Sequence, residues 1–171
     1  MNIKTIVVGS LETNTYILEK DNECLIIDPG DDFDKIKDSI DKEVVGVLIT
    51  HRHFDHIGAL EEFIKYYNVL VFDKDNLDEG LNKISDFYFE VLFNPGHTDD
   101  SVSFIFDDIL FSGDFIFNGT IGRWDLGGNI NDMKSSIKKI LNSKINYKIY
   151  PGHGEITYLN NERNMLNYYL K

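Results

Sequence analysis

Residues 49–58 read "ITHRHFDHIG", which places three of the chain's five histidines and an aspartate within six positions. His51, His53, Asp55 and His56 follow directly on "EVVGVLIT" (43–50), a nearly continuous apolar run of the kind a strand carries when both its faces are covered. The group is therefore expected at the C-terminal edge of a buried strand, where α/β folds build their sites. Alternate residues of an extended chain point the same way, so His51 and His53 reach one point together. Asp55 and His56 lie beyond them and, once the chain turns toward Gly58, are expected to face a second point. The other two histidines sit in "NPGHTDDS" (94–101) and "YPGHGEIT" (150–157), each after a strand-like run, and Asp114 ends "ILFSGD" (109–114). His97, Asp114 and His153 are thus expected on the same edge.

Five neutral imidazoles and two carboxylates, with no thiolate, suit Zn²⁺ and are also compatible with Fe or Mn, since ligand softness alone does not choose among them. Such donors permit a pair of divalent ions that share a water, bring its pKa toward neutrality and polarise a carbonyl or phosphoryl oxygen.

The rest of the chain supports a layered α/β arrangement. Residues 3–8, 14–19 and 23–27 are short β-branched or apolar runs between turn-formers. "DDFDKIKDSI" (31–40) has helical spacing with Asp31 or Asp32 available as cap, and "ALEEFIKYY" (59–67) puts Leu60, Phe63, Ile64 and Tyr67 on one face. "VLVFD" (69–73) reads as a buried strand, and the short segment from Phe72 to Phe87 as a reduced covering loop. "FYFEVLF" (87–93), "SVSFIFDD" (101–108) and "ILFSGD" follow as strands, the last two a hairpin turning at Asp107 and Asp108. "NDMKSSIKKIL" (131–141) is a helix capped by Asn131, "YKIYPGHG" (147–154) a final strand, and "NNERNMLNYYL" (160–170) a closing helix.

At 171 residues, with 42% hydrophobic and 13% aromatic residues, residues 1–171 are expected to form a single domain. No apolar run approaches the roughly 18 residues of a membrane span, and the N-terminus lacks a cleavage-site pattern, so a cytoplasmic protein without membrane contact is expected. The lone Cys24 reads as an inert strand thiol. A net charge of -12 disfavours a nucleic-acid partner and leaves a small-molecule substrate.

"THRHFDHIG" resembles the HxHxDH signature of the metallo-β-lactamase fold superfamily, and "PGHT", "FSGD" and "PGHG" resemble its later motifs in order, from about residue 10 to about residue 157. The resemblance implies a four-layer αββα sandwich. It also implies His51, His53 and His97 on one metal, Asp55, His56 and His153 on a second, and Asp114 bridging, with Asp55 and Asp114 the carboxylates at the reacting centre. The superfamily uses the position of Asp28, in "IIDPG" (26–30), to support the ligands; the residue also suits a plain turn before Pro-Gly. "FSGDFIFNGTIGRWDLGGN" (111–129) with "PGHGEIT" narrows the resemblance to the short bacterial glyoxalase II-like, or hydroxyacylglutathione hydrolase, group. That group implies a thioesterase in which a metal-bridging hydroxide attacks the carbonyl of an S-hydroxyacyl thioester. Larger members carry a C-terminal helical domain for glutathione, whereas this chain runs 18 residues past His153. Asp100 and Ala59 replace small residues of the group's pattern. The competing expectations are a persulfide dioxygenase with one iron on His51, His97 and Asp114, and a phosphodiesterase or lactonase of the same fold.

Among other residues, Arg123 is expected to pair with Asp125 rather than a substrate, and Phe115, Phe117 and Trp124 to pack in the core. Thr98 and Ser101 either steady His97 or cap their loop. The lysines of "KSSIKKILNSK" (134–144) form a solvated helix face.

Overall fold

Inward and outward side chains sort the strands into two sheets. The computed structural model describes residues 1–171. The first part runs β1 (Asn2–Val8), β2 (Thr13–Lys20), β3 (Glu23–Ile27), α1 (Phe33–Lys37), β4 (Glu43–Leu48), α2 (Phe54–Ile57), α3 (Leu60–Tyr67) and β5 (Val71–Phe72). The second runs β6 (Gly80–Ile84), β7 (Phe87–Phe93), β8 (Val102–Phe106), β9 (Ile109–Gly113), β10 (Ile116–Phe117), β11 (Thr120–Ile121), α4 (Ile130–Leu141), β12 (Lys148–Pro151), β13 (Thr157–Tyr158) and α5 (Leu159–Tyr169). One sheet has the order β1-β2-β3-β4-β5, the other β13-β12-β9-β8-β7-β6, and β10 pairs with β11. The β3–β4, β4–β5 and β9–β12 pairings are parallel.

Three apolar layers define the architecture. Between the sheets, Tyr16, Leu18, Leu25, Ile27 and Leu48 of the first meet Phe87, Phe89, Val91, Phe104 and Phe111 of the second. On the outer face of the first sheet, Ile17, Cys24, Ile26 and Val47 pack on Ile36 of α1 and on Leu60 and Phe63 of α3. On the outer face of the second, Ile105, Leu110 and Ile149 pack on Met133, Ile137 and Ile140 of α4 and Leu166 of α5. The result is a helix–sheet–sheet–helix sandwich. Both faces of the central strands are covered, which is why their sequences are continuously apolar.

The sheets also meet by hydrogen bonds at one end. Val102 N–H donates to the Thr50 carbonyl at 2.8 Å, and Asn14 N–H to the Gly152 carbonyl at 2.7 Å. The Asn14 side chain donates to the carbonyls of Pro151 and Gly154, and the Tyr16 hydroxyl to that of Pro151. This seam lies beside the histidine-bearing loops and fixes the two halves of the chain relative to each other.

Several local expectations need correction. Asn129, not Asn131, caps α4: its Oδ1 accepts from Asp132 N–H at 2.9 Å and its side-chain amide donates to the Asp132 carboxylate, while its own backbone N–H donates to the Gly96 carbonyl. Asp32 occupies the cap position of α1 in a left-handed conformation; its backbone carbonyl accepts from the helix, but its side chain accepts from Gly9 N–H. Ile64 is 42% exposed, and "VLVFD" supplies only the two-residue edge strand β5. The span read as a covering loop contains β6, paired along β7, and β13 follows the strand expected to be last. No helix is long and apolar enough to cross a membrane.

Phe104 is fully buried between the sheets, so Phe104→Ala is expected to lower stability by about 3–5 kcal/mol in urea unfolding. Burial pushes the Cys24 thiol up to about 12, so it should stay silent to an aromatic disulfide reagent in the native protein and react once the chain is unfolded.

Candidate metal centre

Each side chain of interest leaves the end of a strand at the seam. His51 follows β4 by way of Ile49 and Thr50, and α2 carries Asp55 and His56 in its single turn. His97 lies in the loop between β7 and β8, Asp114 directly follows β9, and His153 follows β12. Two close approaches between loops hold them. A Cβ on Gly58 would lie 2.2 Å from the Gly30 carbonyl oxygen, and one on Gly152 would lie 2.3 Å from Asp114 Oδ1 and 2.7 Å from His56 Cε1. Only glycine fits at these two places.

The seven side chains converge. His53 Nδ1 is 3.2 Å from His51 Nε2 and 2.9 Å from His97 Nε2. Asp114 reaches His56 Nε2 at 3.2 Å through Oδ1 and His97 Nε2 at 3.4 Å through Oδ2. Asp55 Oδ2 lies 3.2 Å from His153 Nε2 and 3.7 Å from His56 Nε2. Three groups bring their donor atoms within 4.8 Å of one another: His51, His53 and His97; His51, His56 and Asp114; and Asp55, His56 and His153.

The outward nitrogen of every imidazole is engaged. His53 Nε2–H donates to the Leu126 carbonyl, His97 Nδ1–H to that of Arg123, and His153 Nδ1–H to that of Leu11. A carbonyl only accepts, so these contacts fix the proton on the outer nitrogen. His56 Nδ1–H donates to Asp28 Oδ2 at 2.9 Å. The Thr50 hydroxyl gives its proton to the same Asp28 oxygen at 2.6 Å and so accepts from His51 Nδ1–H at 3.1 Å. Asp28, 2% exposed and left-handed at φ 50°, also takes Thr50 N–H on Oδ1 at 2.8 Å. One carboxylate therefore orients His56 directly and His51 through a hydroxyl.

With the outer nitrogens protonated, the inner nitrogens of His51, His53 and His97 face each other as bare lone pairs. His56 Nε2 and Asp114 Oδ1 are buried without hydrogen-bond geometry to any partner. Converging lone pairs and buried polar atoms without a partner are the arrangement that a bound cation would satisfy. The donor set of five imidazoles and two carboxylates fits divalent metal ions.

The electrostatics agree. Burial, then the neighbouring imidazoles, pushes His51 well below the usual histidine value, and burial also lowers His97. Burial opposes charge on His56, but Asp28 and Asp114 outweigh it and raise its pKa to about 10. Burial likewise opposes ionisation of Asp114 and Asp55. The histidines outweigh it at both, helped by the Thr13 hydroxyl at Asp55, and hold both carboxyls below the usual range. The centre thus favours positive charge between ionised carboxylates.

Around it, Thr98 and Ser101 bond to each other at 2.7 Å and steady the His97 loop. Arg123 forms a two-pronged pair with Asp125, at 2.9 and 2.7 Å. Phe115 is core and Trp124 packs partly buried on the outer layer, whereas the Phe117 ring stands 6.0 Å from that of His153. Sequence reasoning missed Thr50 and Thr13; the latter's hydroxyl donates to Asp55 Oδ2 at 3.0 Å. A threonine directly before His51 at a strand end was the available signal for the first. Nothing in the sequence marked the second.

Comparison with known proteins follows the same outline. A family model described as the metallo-beta-lactamase superfamily matches residues 8–72 and 66–153. A Bacillus subtilis protein named a probable metallo-hydrolase is 34% identical over 194 residues, covering 92% of each chain. A hydroxyacylglutathione hydrolase of Haemophilus influenzae is 30% identical over 202 residues, covering 95% of each. Among solved structures, the B3 metallo-beta-lactamase BLEG-1 has a TM-score of 0.89 at 28% identity, over 99% of this chain and 100% of that one. A protein solved in a di-iron-bound form has a TM-score of 0.84 at 28% identity, over 93% and 96%.

Two substitutions test the construction. Asp28→Asn puts an amide where His56 and Thr50 need an acceptor, and should weaken Zn²⁺ binding by about 10–100-fold in competition with a chromophoric chelator. Gly152→Ala forces Asp114 and His56 apart and should lower both bound metal, by elemental analysis, and the thermal midpoint.

Proposed function

The chain belongs to the metallo-β-lactamase superfamily, and we propose that its activity there is hydrolysis of thioesters at a pair of divalent ions. The observation that carries the metal dependence is the set of inner nitrogens and orphaned acceptors described above. His51, His53 and His97 would hold one ion, Asp55, His56 and His153 the other, with Asp114 between them. Zinc is the first choice, and iron is supported by the relative solved with two irons. Support for the thioester comes from the full-length similarity to a hydroxyacylglutathione hydrolase.

Bound there, divalent ions supply a water acidic enough to act as nucleophile near neutral pH and a Lewis acid for the thioester carbonyl oxygen. The protein's part is positioning and proton handling. Asp28 and Thr50, with the carbonyls of Leu11, Arg123 and Leu126, hold five imidazoles with their lone pairs inward. Asp55, whose Oδ2 accepts from Thr13 and faces His153, is the ionised carboxylate placed to orient the attacking water by accepting a hydrogen bond from it. A departing thiolate is a good leaving group, so no strong general acid is demanded of the site.

Protein purified without added metal should contain near two ions per chain by elemental mass spectrometry and cleave S-hydroxyacyl thioesters in preference to lactones and β-lactams. Asp114→Ala should reduce kcat by at least about a hundredfold. One iron per chain with persulfide-dependent oxygen uptake and no thioester cleavage would move the protein to the dioxygenase class.

A further inference from the structure

We infer that Glu162, on the C-terminal helix α5, is a positioning residue for the substrate: its carboxylate holds the β10–β11 hairpin so that Phe117 forms a wall at the open side of the metal centre. The inference rests on the thioesterase reading and adds to that site a residue from an element that bears none of the seven side chains. Solvent reaches the imidazoles of His53 and His153, whereas His51, His56 and His97 are buried. A substrate therefore meets the centre from the His53 and His153 side, and there the Phe117 ring stands 6.0 Å from that of His153.

Phe117 belongs to a very short element. Ile116 pairs with Ile121 and Phe117 with Thr120, so each strand of the hairpin has two residues. An isolated hairpin is at best marginally stable in water, and one this short depends on outside contacts. Ile116 and Ile121 anchor it in the outer apolar layer, and strand alternation gives Phe117 the opposite face. Glu162 holds the tip. Its Oε2 accepts from Gly119 N–H at 3.0 Å, where Gly119 turns the chain at φ 80°. Its Oε1 accepts from the Thr157 hydroxyl at 2.6 Å, four residues past His153. Glu162 is 4% exposed, and these two donors, one on each oxygen, are what make burial of the carboxylate tolerable. The same helix meets the segment again through Tyr169, whose hydroxyl lies 3.5 Å from that of Thr120 and whose ring lies 6.2 Å from that of Trp124. The grip on Gly119 is the directional part of this brace. Its loss frees the hairpin to pivot about its apolar anchor, which moves Phe117 and leaves the histidines in place, since Asp28 and the carbonyls of Leu11, Arg123 and Leu126 hold them.

The test compares Glu162→Leu, which removes both acceptors, with Glu162→Gln, whose amide oxygen still accepts from Gly119 and whose amide N–H donates to the Thr157 hydroxyl. On the zinc-loaded protein with an S-2-hydroxyacyl glutathione, Glu162→Leu should raise KM by about fivefold or more, change kcat by less than about twofold and leave the bound metal at its original content. Glu162→Gln should recover most of the KM. Phe117→Ala should raise KM to a similar extent, and combining it with Glu162→Leu should add nothing, because Glu162 acts through Phe117. A second readout needs no substrate. The chain has one tryptophan, so Trp124→Phe with Phe117→Trp places a single fluorophore at the wall. Adding Glu162→Leu should shift its emission to the red, and adding Glu162→Gln should not. Additive KM effects, loss of bound metal in step with activity, or an emission that Glu162→Leu leaves unchanged overturns the inference while keeping the thioesterase. Cleavage of no thioester by the unaltered protein removes the thioesterase instead, and the emission alone then decides whether Glu162 places residue 117. If Glu162→Leu does not fold, Thr157→Val removes one of the two donors and takes its place with the same expected signs.

Discussion

Everything at the functional end of this molecule depends on how one buried carboxylate is satisfied. Asp28 sits at the end of β3 in a left-handed conformation and accepts from the Thr50 amide, the Thr50 hydroxyl and His56. Those three donors tie the end of one strand to the end of its parallel neighbour and to the helical turn beyond. A charge so deeply buried is tolerable only because its lone pairs are used. The same arrangement sets the tautomers of His51 and His56, so structural and chemical demands meet on one side chain.

The second dependence is on the meeting of the sheets. The apolar layer between them would permit some sliding, since packing is weakly directional. The bonds between Thr50 and Val102, and between Asn14 and Gly152, remove that freedom at the end where the loops lie. Glycines at 58 and 152 then let backbone and carboxylate approach more closely than any side chain would allow. The positions of His97, Asp114 and His153 relative to His51 follow from this seam.

The sandwich was legible because its strands are strong signals: long β-branched or aromatic runs that end in Pro-Gly or Gly-Asp turns. The histidine loops could be placed on one edge for the same reason, each motif following a buried strand. What escaped was specified by partners and not by local pattern. "GLNKI" lacks β-branched residues until its last position and becomes β6 only by pairing with β7. The start of α4 turned on which asparagine had an Asp three residues later. Thr13 and the carbonyls of Leu11, Arg123 and Leu126 act through contacts between loops distant in sequence, and no residue type announces a carbonyl's role. Arg123 shows the difference well: its side chain drew notice, while its backbone oxygen is what touches His97.

The distribution of donors along the chain also bears on how the site comes into being. His51, His53, Asp55 and His56 are neighbours in any conformation, because six residues of chain cannot separate them far. His97 and His153 belong to the other sheet and arrive only when the two sheets dock. An unfolded or half-folded chain therefore already has a small chelating cluster, whereas the complete donor set exists only once the long-range contacts are made. An ion held by the early cluster stabilises the unfolded chain as well as the native one, and only the difference in affinity favours the fold. Completion of the centre therefore depends on the docking of the two sheets, and its geometry records whether the two halves have found their register.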